Sequence, residues 1–128
     1  MRAIECRGKD ERGQWHYGYY VDGYMFDSMI GGLVAVPFIV QTQLNNPKRV
    51  VVETVGQYTG LLDKHGNKIF EGDIVEYNGW FYIIKWDKED AGFYMHDKNN
   101  DEDDHLRTID ISVGEVMGNI YENQNLIK

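Results

Sequence analysis

Turn signals follow one another so closely across residues 53–77 that only short strands fit between them. Gly56 and Gly60 bracket a β-branched and aromatic segment of the kind that forms strands. The polar run at residues 63–68 contains a glycine, which adopts the positive φ that a chain reversal needs. A further turn, Glu71-Gly72-Asp73, leads into another apolar segment. This spacing predicts a series of short, sharply connected strands.

The clearest predicted hairpin comes directly after this stretch. Residues 74–77 and 80–86 flank Asn78-Gly79, a dipeptide suited to the type I′ turn whose twist matches that of paired strands. Side chains in 80–86 alternate between two faces, and both faces begin with large apolar residues. A strand that is apolar on both faces belongs in a small closed barrel or a sandwich.

The first half of the chain predicts a meander of strands. Residues 2–7 and 14–21 form a hairpin around a charged loop that has glycine at each end. Asp22-Gly23 predicts a second turn, followed by strands at 24–30 and 33–42. A polar loop at residues 45–48 then predicts the boundary between an N-terminal β lobe, residues 1–49, and a second lobe, residues 50–128.

Residues 33–40 are apolar throughout, with Pro37 as the one break in strand pairing. Such a run indicates either a strand covered on both faces or an edge strand at the proline, which has no N–H to donate. An exposed edge this apolar pairs readily with another chain. We therefore expect a homo-oligomer formed through the edge from Leu33 to Val40, with other protein partners unknown.

The second lobe continues with predicted strands at 93–96, 108–113 and 115–121. Two alternatives stay open, a helical turn capped by Ser112 and another at residues 123–127. The order of turns and strands fits a five-stranded SH3-like barrel carrying an acidic loop at residues 87–104. The predicted fold class is mainly β, with few or no long helices.

The segment VGQYTGLLDKHGNKIFEGDIV, residues 55–75, is similar to the signature of the YopX family, small proteins encoded by bacteriophages and prophages. Supporting segments at 2–9, 15–19 and 118–123 occur in the family's order. The family's usual pattern has an aromatic residue where Cys6 stands and a proline where Gln124 stands. The motif residues, to which we assign structural roles, are Gly56, Gln57, Tyr58, Thr59, Gly60, Leu61, Asp63, Gly66, Glu71, Gly72, Asp73, Gly118, Asn119, Ile120 and Tyr121.

The resemblance implies an SH3-like barrel in the carboxy-terminal part and little about activity, because the family's function is undetermined. The first fifteen residues lack the apolar core of a signal peptide, and the longest apolar stretch, residues 31–40, is too short to span a bilayer as a helix. We therefore expect a soluble protein of the host bacterial cytoplasm. Cys6 is the single cysteine, so an intramolecular disulfide is excluded.

Charge is concentrated in one part of the sequence. The formal net charge is -8, and residues 87–104 alone hold eight acidic and two basic side chains, whereas the first 49 residues carry about +1. An acidic surface repels phosphate, which makes direct nucleic-acid binding unlikely. The acidic segment is either a loop that keeps the protein soluble, or a docking surface for a basic partner or a mimic of nucleic-acid charge. The candidate contact residues are Asp97, Asp101, Glu102, Asp103 and Asp104.

No catalytic, cofactor or metal signature is present in the sequence. Residues 97–108 resemble a calcium-binding loop at the first positions but lack its glycine and its closing glutamate. The four histidines show none of the paired spacings of a helical metal site. Asp63, Glu71 and Asp73 stand at turns, where carboxylates bind backbone N–H groups. We therefore predict a protein that is not an enzyme and uses no cofactor: a binding or assembly module, or alternatively an acidic modulator of a host nucleic-acid-binding protein.

Overall fold

The computed structural model describes residues 5–40, 47–98, 102–106 and 110–127. Over these residues the chain is mainly β, with antiparallel strands and short 3₁₀ turns and no α-helix, which confirms the predicted fold class. No helix in the described part has the length and hydropathy to cross a membrane. The chain divides into two compact units, Met1–Gln57 and Tyr58–Lys128.

The strands of the first unit are β1 (Glu5–Lys9), β2 (Trp15–Asp27), β3 (Gly32–Val40) and β4 (Lys48–Arg49), followed by a 3₁₀ turn at Val52–Thr54. They form an antiparallel sheet in the order β4-β3-β2-β1, and Gly56 and Gln57 of the following strand pair with β1. A small core of Cys6, Ile39 and Val50 is packed against Tyr20 and Val55.

The predicted boundary after residue 49 falls inside this unit. Val50 belongs to its core, and the backbone N–H of Val51 donates to the Lys9 carbonyl over 2.7 Å. The Thr54 hydroxyl accepts from the backbone N–H of Lys9 over 2.8 Å. These contacts with β1 hold residues 50–54 to the first unit. The polar composition of residues 45–48, on which the predicted boundary was based, gives no indication of them.

The predicted turn at Asp22-Gly23 is wrong, because β2 runs through both residues and pairs them with β3. Gly23 has a packing role: a Cβ at this position would lie 2.5 Å from the ring of Phe38. The reversal occurs after Asp27, whose side chain accepts the backbone N–H groups two and three residues later. Gly31 completes it at φ 77°.

The second unit contains a five-stranded antiparallel sheet in the order β10-β9-β8-β7-β11, and a short ladder between β5 and β6. The last strand thus returns beside the first strand of its sheet, an order that fits the predicted SH3-like barrel. Among the described residues, no pairing joins β10 to β11. The elements are β5 (Gly56–Leu62), β6 (Lys68–Phe70), β7 (Asp73–Tyr77), β8 (Trp80–Asp87), β9 (Gly92–Asp97), β10 (Glu102–His105) and β11 (Glu115–Asn119), with 3₁₀ turns at Ile111–Val113 and Gln124–Ile127.

Strand β8 is buried on both faces near its middle, as its sequence predicts. Ile84 belongs to a core cluster with Val75 and Met95, whereas Ile83 packs with Ile74 in a second cluster. The hairpin from β7 to β8 turns at Asn78-Gly79, where φ is 53° and 84°. Two successive positive φ angles are those of a type I′ turn, in agreement with the prediction.

The segment predicted to carry the acidic loop, residues 87–104, contains the strand predicted at 93–96, which is present as β9, and most of a second strand, β10, which was not predicted. Asp87 ends β8, residues 88–91 form a turn, and β10 pairs with β9 from Glu102↔Asp97 to His105↔Tyr94. The strand predicted at 108–113 is also wrong where the chain is described, because Ile111–Val113 is a 3₁₀ turn. Asp110 caps that turn, so the helical alternative is correct and the capping residue lies two positions earlier than expected.

Candidate interaction surfaces

Asp63 is the central hydrogen-bond acceptor of the motif stretch. It is 4% exposed, and its carboxylate accepts from the backbone N–H groups of His65, Asn67 and Val116 and from the Asn67 side chain, over 2.8 to 3.2 Å. Burial opposes ionisation of this carboxyl, but the hydrogen bonds outweigh it and hold the pKa of Asp63 below its usual range. A carboxylate fully occupied in this way fixes the turn at residues 63–67 to β11.

The second motif turn, at Glu71-Gly72, is tied to two neighbouring segments. Gly72 has φ 92°, donates to the Ile84 carbonyl over 2.8 Å and accepts from the Ile120 N–H over 2.9 Å. A Cβ at Gly72 would lie 3.2 Å from the ring of Tyr121. Asp73, which is 1% exposed, accepts the backbone N–H of Phe70 over 2.8 Å and closes the turn.

The carboxy-terminal motif residues form a clasp after β11. Asn119 donates its backbone N–H to the side chain of Asn123, and its own side chain accepts from the N–H groups of Tyr121 and Glu122, over 3.0 to 3.1 Å. Gly118 lies at a bulge, where a Cβ would collide with the Asn123 side chain. In β5, the Thr59 hydroxyl donates to the Ile69 carbonyl over 2.8 Å.

The motif residues therefore occupy strands and turns of one scaffold. A hollow of about 280 Å³ beside the second motif turn is lined by Glu71, Gly72 and Tyr121 with residues of β8, and neither Asp63 nor Asp73 reaches it. By placement, residues 56–61 lie in β5, 63 and 66 in the first turn, 71 and 72 in the second, 73 in β7, 118 and 119 in β11, and 120 and 121 in the clasp.

A hairpin in the first unit exposes many large apolar side chains. We call residues 21–36, the distal parts of β2 and β3 with their connecting turn, the arm. The exposed fractions are 70% for Tyr24, 68% for Phe26, 95% for Met29 and 70% for Leu33. Also exposed are Val21, Met25 and Ile30. The sequence predicted an apolar edge at residues 33–40; the exposure instead centres on the arm, whose members come from both strands and the turn.

One face of the arm continues an apolar face of the core. Directly paired residues of antiparallel strands lie on the same face, and the successive pairs here are Tyr20↔Ile39, Asp22↔Pro37, Tyr24↔Ala35 and Phe26↔Leu33. Ile39 is fully buried, whereas the last two pairs are exposed. Two exposed apolar pairs thus follow on this face beyond the pair that contains Asp22.

The predicted acidic contact surface is only partly present. Asp97 is 4% exposed and cannot belong to it, and Asp101 lies outside the described residues. Glu102, Asp103 and Asp104 are exposed along β10, an edge strand of its sheet. The carboxylate of Asp103 lies 2.7 Å from Nδ1 of His96.

A cluster of possible metal ligands lies near the same edge and was missed by sequence reasoning. Asp87, Asp90 and His105 each bring one ligand atom to within 4.8 Å of the other two. An adjacent hollow of about 280 Å³ is lined by Trp86, Asp87, Lys88, Glu89, Tyr94, Asp103 and His105. The available signal was the Asp-x-x-Asp spacing across a turn, but the pairing of β10 with β9 that delivers His105 is not visible in the sequence.

Comparison with known proteins gives one assignment. No curated protein matches the chain. The family model described as YopX protein matches residues 19–128, which covers most of the chain and includes the arm, both motif turns and the clasp. This chain belongs to the YopX family.

Proposed function

We propose that this protein is a non-enzymatic assembly module that binds a second copy of itself through the arm, in the cytoplasm of a bacterial host. The observation that carries this proposal is the exposure of seven large apolar side chains on a hairpin of two strands. A two-stranded hairpin is only marginally stable in water by itself. Exposed apolar patches on this scale are typical of interaction sites.

The exposed apolar area on one side of the arm approaches that of a specific interface. Tyr24, Phe26 and Leu33 share one face, whereas Val21 and Met25 lie on the opposite face. At ~200 Å² for a large side chain, the exposed fractions of the first three and of the turn residues Met29 and Ile30 amount to about 700 Å². The largest patch on an ordinary monomer is about 300–600 Å². A standard protein interface buries about 800 Å² on each partner, so two arms packed against each other supply an interface slightly below the standard size.

The charge of the arm favours a second copy over a charged partner. Asp22 and Asp27 are its only ionisable acidic or basic groups apart from tyrosine. Asp22 accepts from the Tyr20 hydroxyl over 2.7 Å, and Asp27 accepts N–H groups of its own turn. Two copies that meet at the arm therefore repel each other less than they would at residues 87–104, which hold eight acidic side chains. The arrangement expected is a two-fold dimer in which the Tyr24, Phe26 and Leu33 faces pack together.

The mass of the purified chain in solution tests this proposal. Sedimentation equilibrium between about 1 and 100 μM should show a mass above that of one chain, and the association should persist or strengthen at 1 M salt, because burial of apolar area drives it and salt screens the opposing charge. A single-chain mass across the whole range, at both salt concentrations, would contradict self-association through the arm.

A second candidate function rests on the row Glu102, Asp103 and Asp104. Three adjacent exposed carboxylates on an edge strand support an acidic modulator that imitates nucleic-acid charge and binds a basic host protein. Such a protein should displace labelled DNA from a basic DNA-binding protein at low salt, and the displacement should weaken steeply as salt rises. Replacement of all four acidic residues at 101–104 by Asn or Gln should then abolish displacement of the DNA and leave self-association intact. Displacement that survives neutralisation counts against this candidate.

A further inference from the structure

We infer that Asp87, Asp90 and His105 form a binding site for a divalent transition-metal ion of the Zn²⁺ or Mn²⁺ class. Two carboxylates and one imidazole make a donor set that these ions accept, and three protein ligands leave further coordination positions for water or an exogenous ligand. The inference concerns the second unit and is independent of the proposed role of the arm.

Two of the separations between the donor atoms match those around a bound metal. With metal–ligand distances of about 2.0–2.1 Å and tetrahedral angles, neighbouring donor atoms are roughly 3.3–3.4 Å apart. Nε2 of His105 lies 3.2 Å from Oδ2 of Asp90 and 3.7 Å from Oδ2 of Asp87. The third separation, between the carboxylate oxygens of Asp87 and Asp90, is at most 4.8 Å, so a shared cation would draw these two oxygens together.

The local backbone holds the ligands in place. Asp87 ends β8, and its Oδ1 accepts the backbone N–H groups of Glu89 and Asp90 over 3.0 and 3.4 Å, which leaves Oδ2 directed at His105. His105 pairs with Tyr94 across the β10–β9 ladder, and their ring centroids are 6.1 Å apart. A ligand set drawn from a strand end, its tight turn and the neighbouring edge strand is more rigid than one on a long loop.

The surrounding charge favours a cation. Glu89 and Asp103 line the adjacent hollow with two of the ligands, and Lys88 is the one lysine or arginine among the described residues of that lining. The hollow therefore has a negative potential and has room for the water molecules that complete a coordination sphere.

The competing explanation is an ion triad without metal, in which a protonated His105 bridges the two carboxylates. The two explanations differ in what an added metal ion does. A metal site binds the ion saturably and loses it when one of the three ligands is removed. The ion triad needs no metal and offers no saturable site.

Titration calorimetry with ZnCl₂ and MnCl₂, on the untagged full chain in a buffer free of phosphate, tests the site. We expect one saturable site per chain at pH 7.5. His105→Gln and Asp90→Asn should each weaken binding tenfold or more. Since Asp90 and His105 are 52% and 24% exposed, both variants should fold, which circular dichroism verifies.

His65→Gln is the matched control, because His65 lies 3.1 Å from a single carboxylate, Glu115, on another surface of the same unit. That variant should bind Zn²⁺ as the parent does. In addition, amide resonances of residues 85–96 and 102–106 should broaden selectively with substoichiometric Mn²⁺. The absence of saturable binding, binding unaffected by the Asp90 and His105 changes, or equal binding of Mg²⁺ and Ca²⁺ would each overturn the assignment.

Discussion

Replacing Phe26 by lysine and Leu33 by glutamate, F26K together with L33E, should convert the self-associating protein to a monomer. The two residues face each other across the β2–β3 ladder and are about 70% exposed, so they contribute much of the apolar area of the arm. Opposite charges at a cross-strand pair preserve the hairpin, and the net charge of -8 does not change. Loss of two interface anchors should weaken dimerisation at least about 100-fold.

Sedimentation equilibrium measures this effect, and V113K together with V52E is the control. Val113 and Val52 are exposed by 58% and 52%, lie outside the arm, and accept the same exchange of charge. The control should associate like the parent protein. If the arm variant keeps the parent's mass, or the control loses it equally, then the arm is not the interface.

Replacing Asp63 by asparagine should destabilise the second unit by about 3 kcal/mol. The amide oxygen can retain the bonds from His65 and Asn67, but the amide nitrogen would face the Val116 N–H and the Asn67 side-chain amide, which are themselves donors. Two donors would then lack an acceptor in a position that is 4% exposed. Urea-induced unfolding, followed by tryptophan fluorescence at pH 7, measures the difference.

The pH dependence of this difference identifies its cause. The folded-state pKa of Asp63 is lowered, so its ionised form contributes stability that is present above the unfolded carboxyl pKa of about 3.9 and is lost as pH falls through the folded value. The gap between parent and Asp63→Asn should therefore persist from pH 7 to about pH 4 and narrow below it. Asp110→Asn, at an exposed cap of one 3₁₀ turn, should cost less than about 1 kcal/mol. If Asp63→Asn lowers the free energy of unfolding by no more than Asp110→Asn does, then the hydrogen bonds of the Asp63 carboxylate do not stabilise the second unit.

The turns were predictable because their chemistry is local. Asn78-Gly79, Gly66 and Gly72 all adopt positive φ where the sequence indicates reversal, and residues 124–127 form the short helical turn considered for that region. Strand alternation likewise predicted that β8 is buried on both faces. Each of these features depends on residues within a few positions of one another, which a single sequence displays.

Features that depend on distant partners were not predictable in the same way. Asp22-Gly23 has turn composition, but its conformation follows from pairing with β3 and from the Phe38 ring over Gly23. The polar composition at residues 102–105 conceals an edge strand, and only that strand brings His105 to Asp87 and Asp90. Asp97 has the composition of an acidic surface but is buried at the end of β9.

The carboxylates of β10 limit how assemblies of this protein grow. A strand that pairs with this edge lies beside Glu102, Asp103 and Asp104. If that strand is β10 of a second copy, the carboxylates of the two copies face each other and repel. This repulsion opposes the growth of fibrils by strand addition at β10. Copies joined through the arm by a two-fold contact then form a closed particle of fixed size, whereas head-to-tail addition would give an open filament.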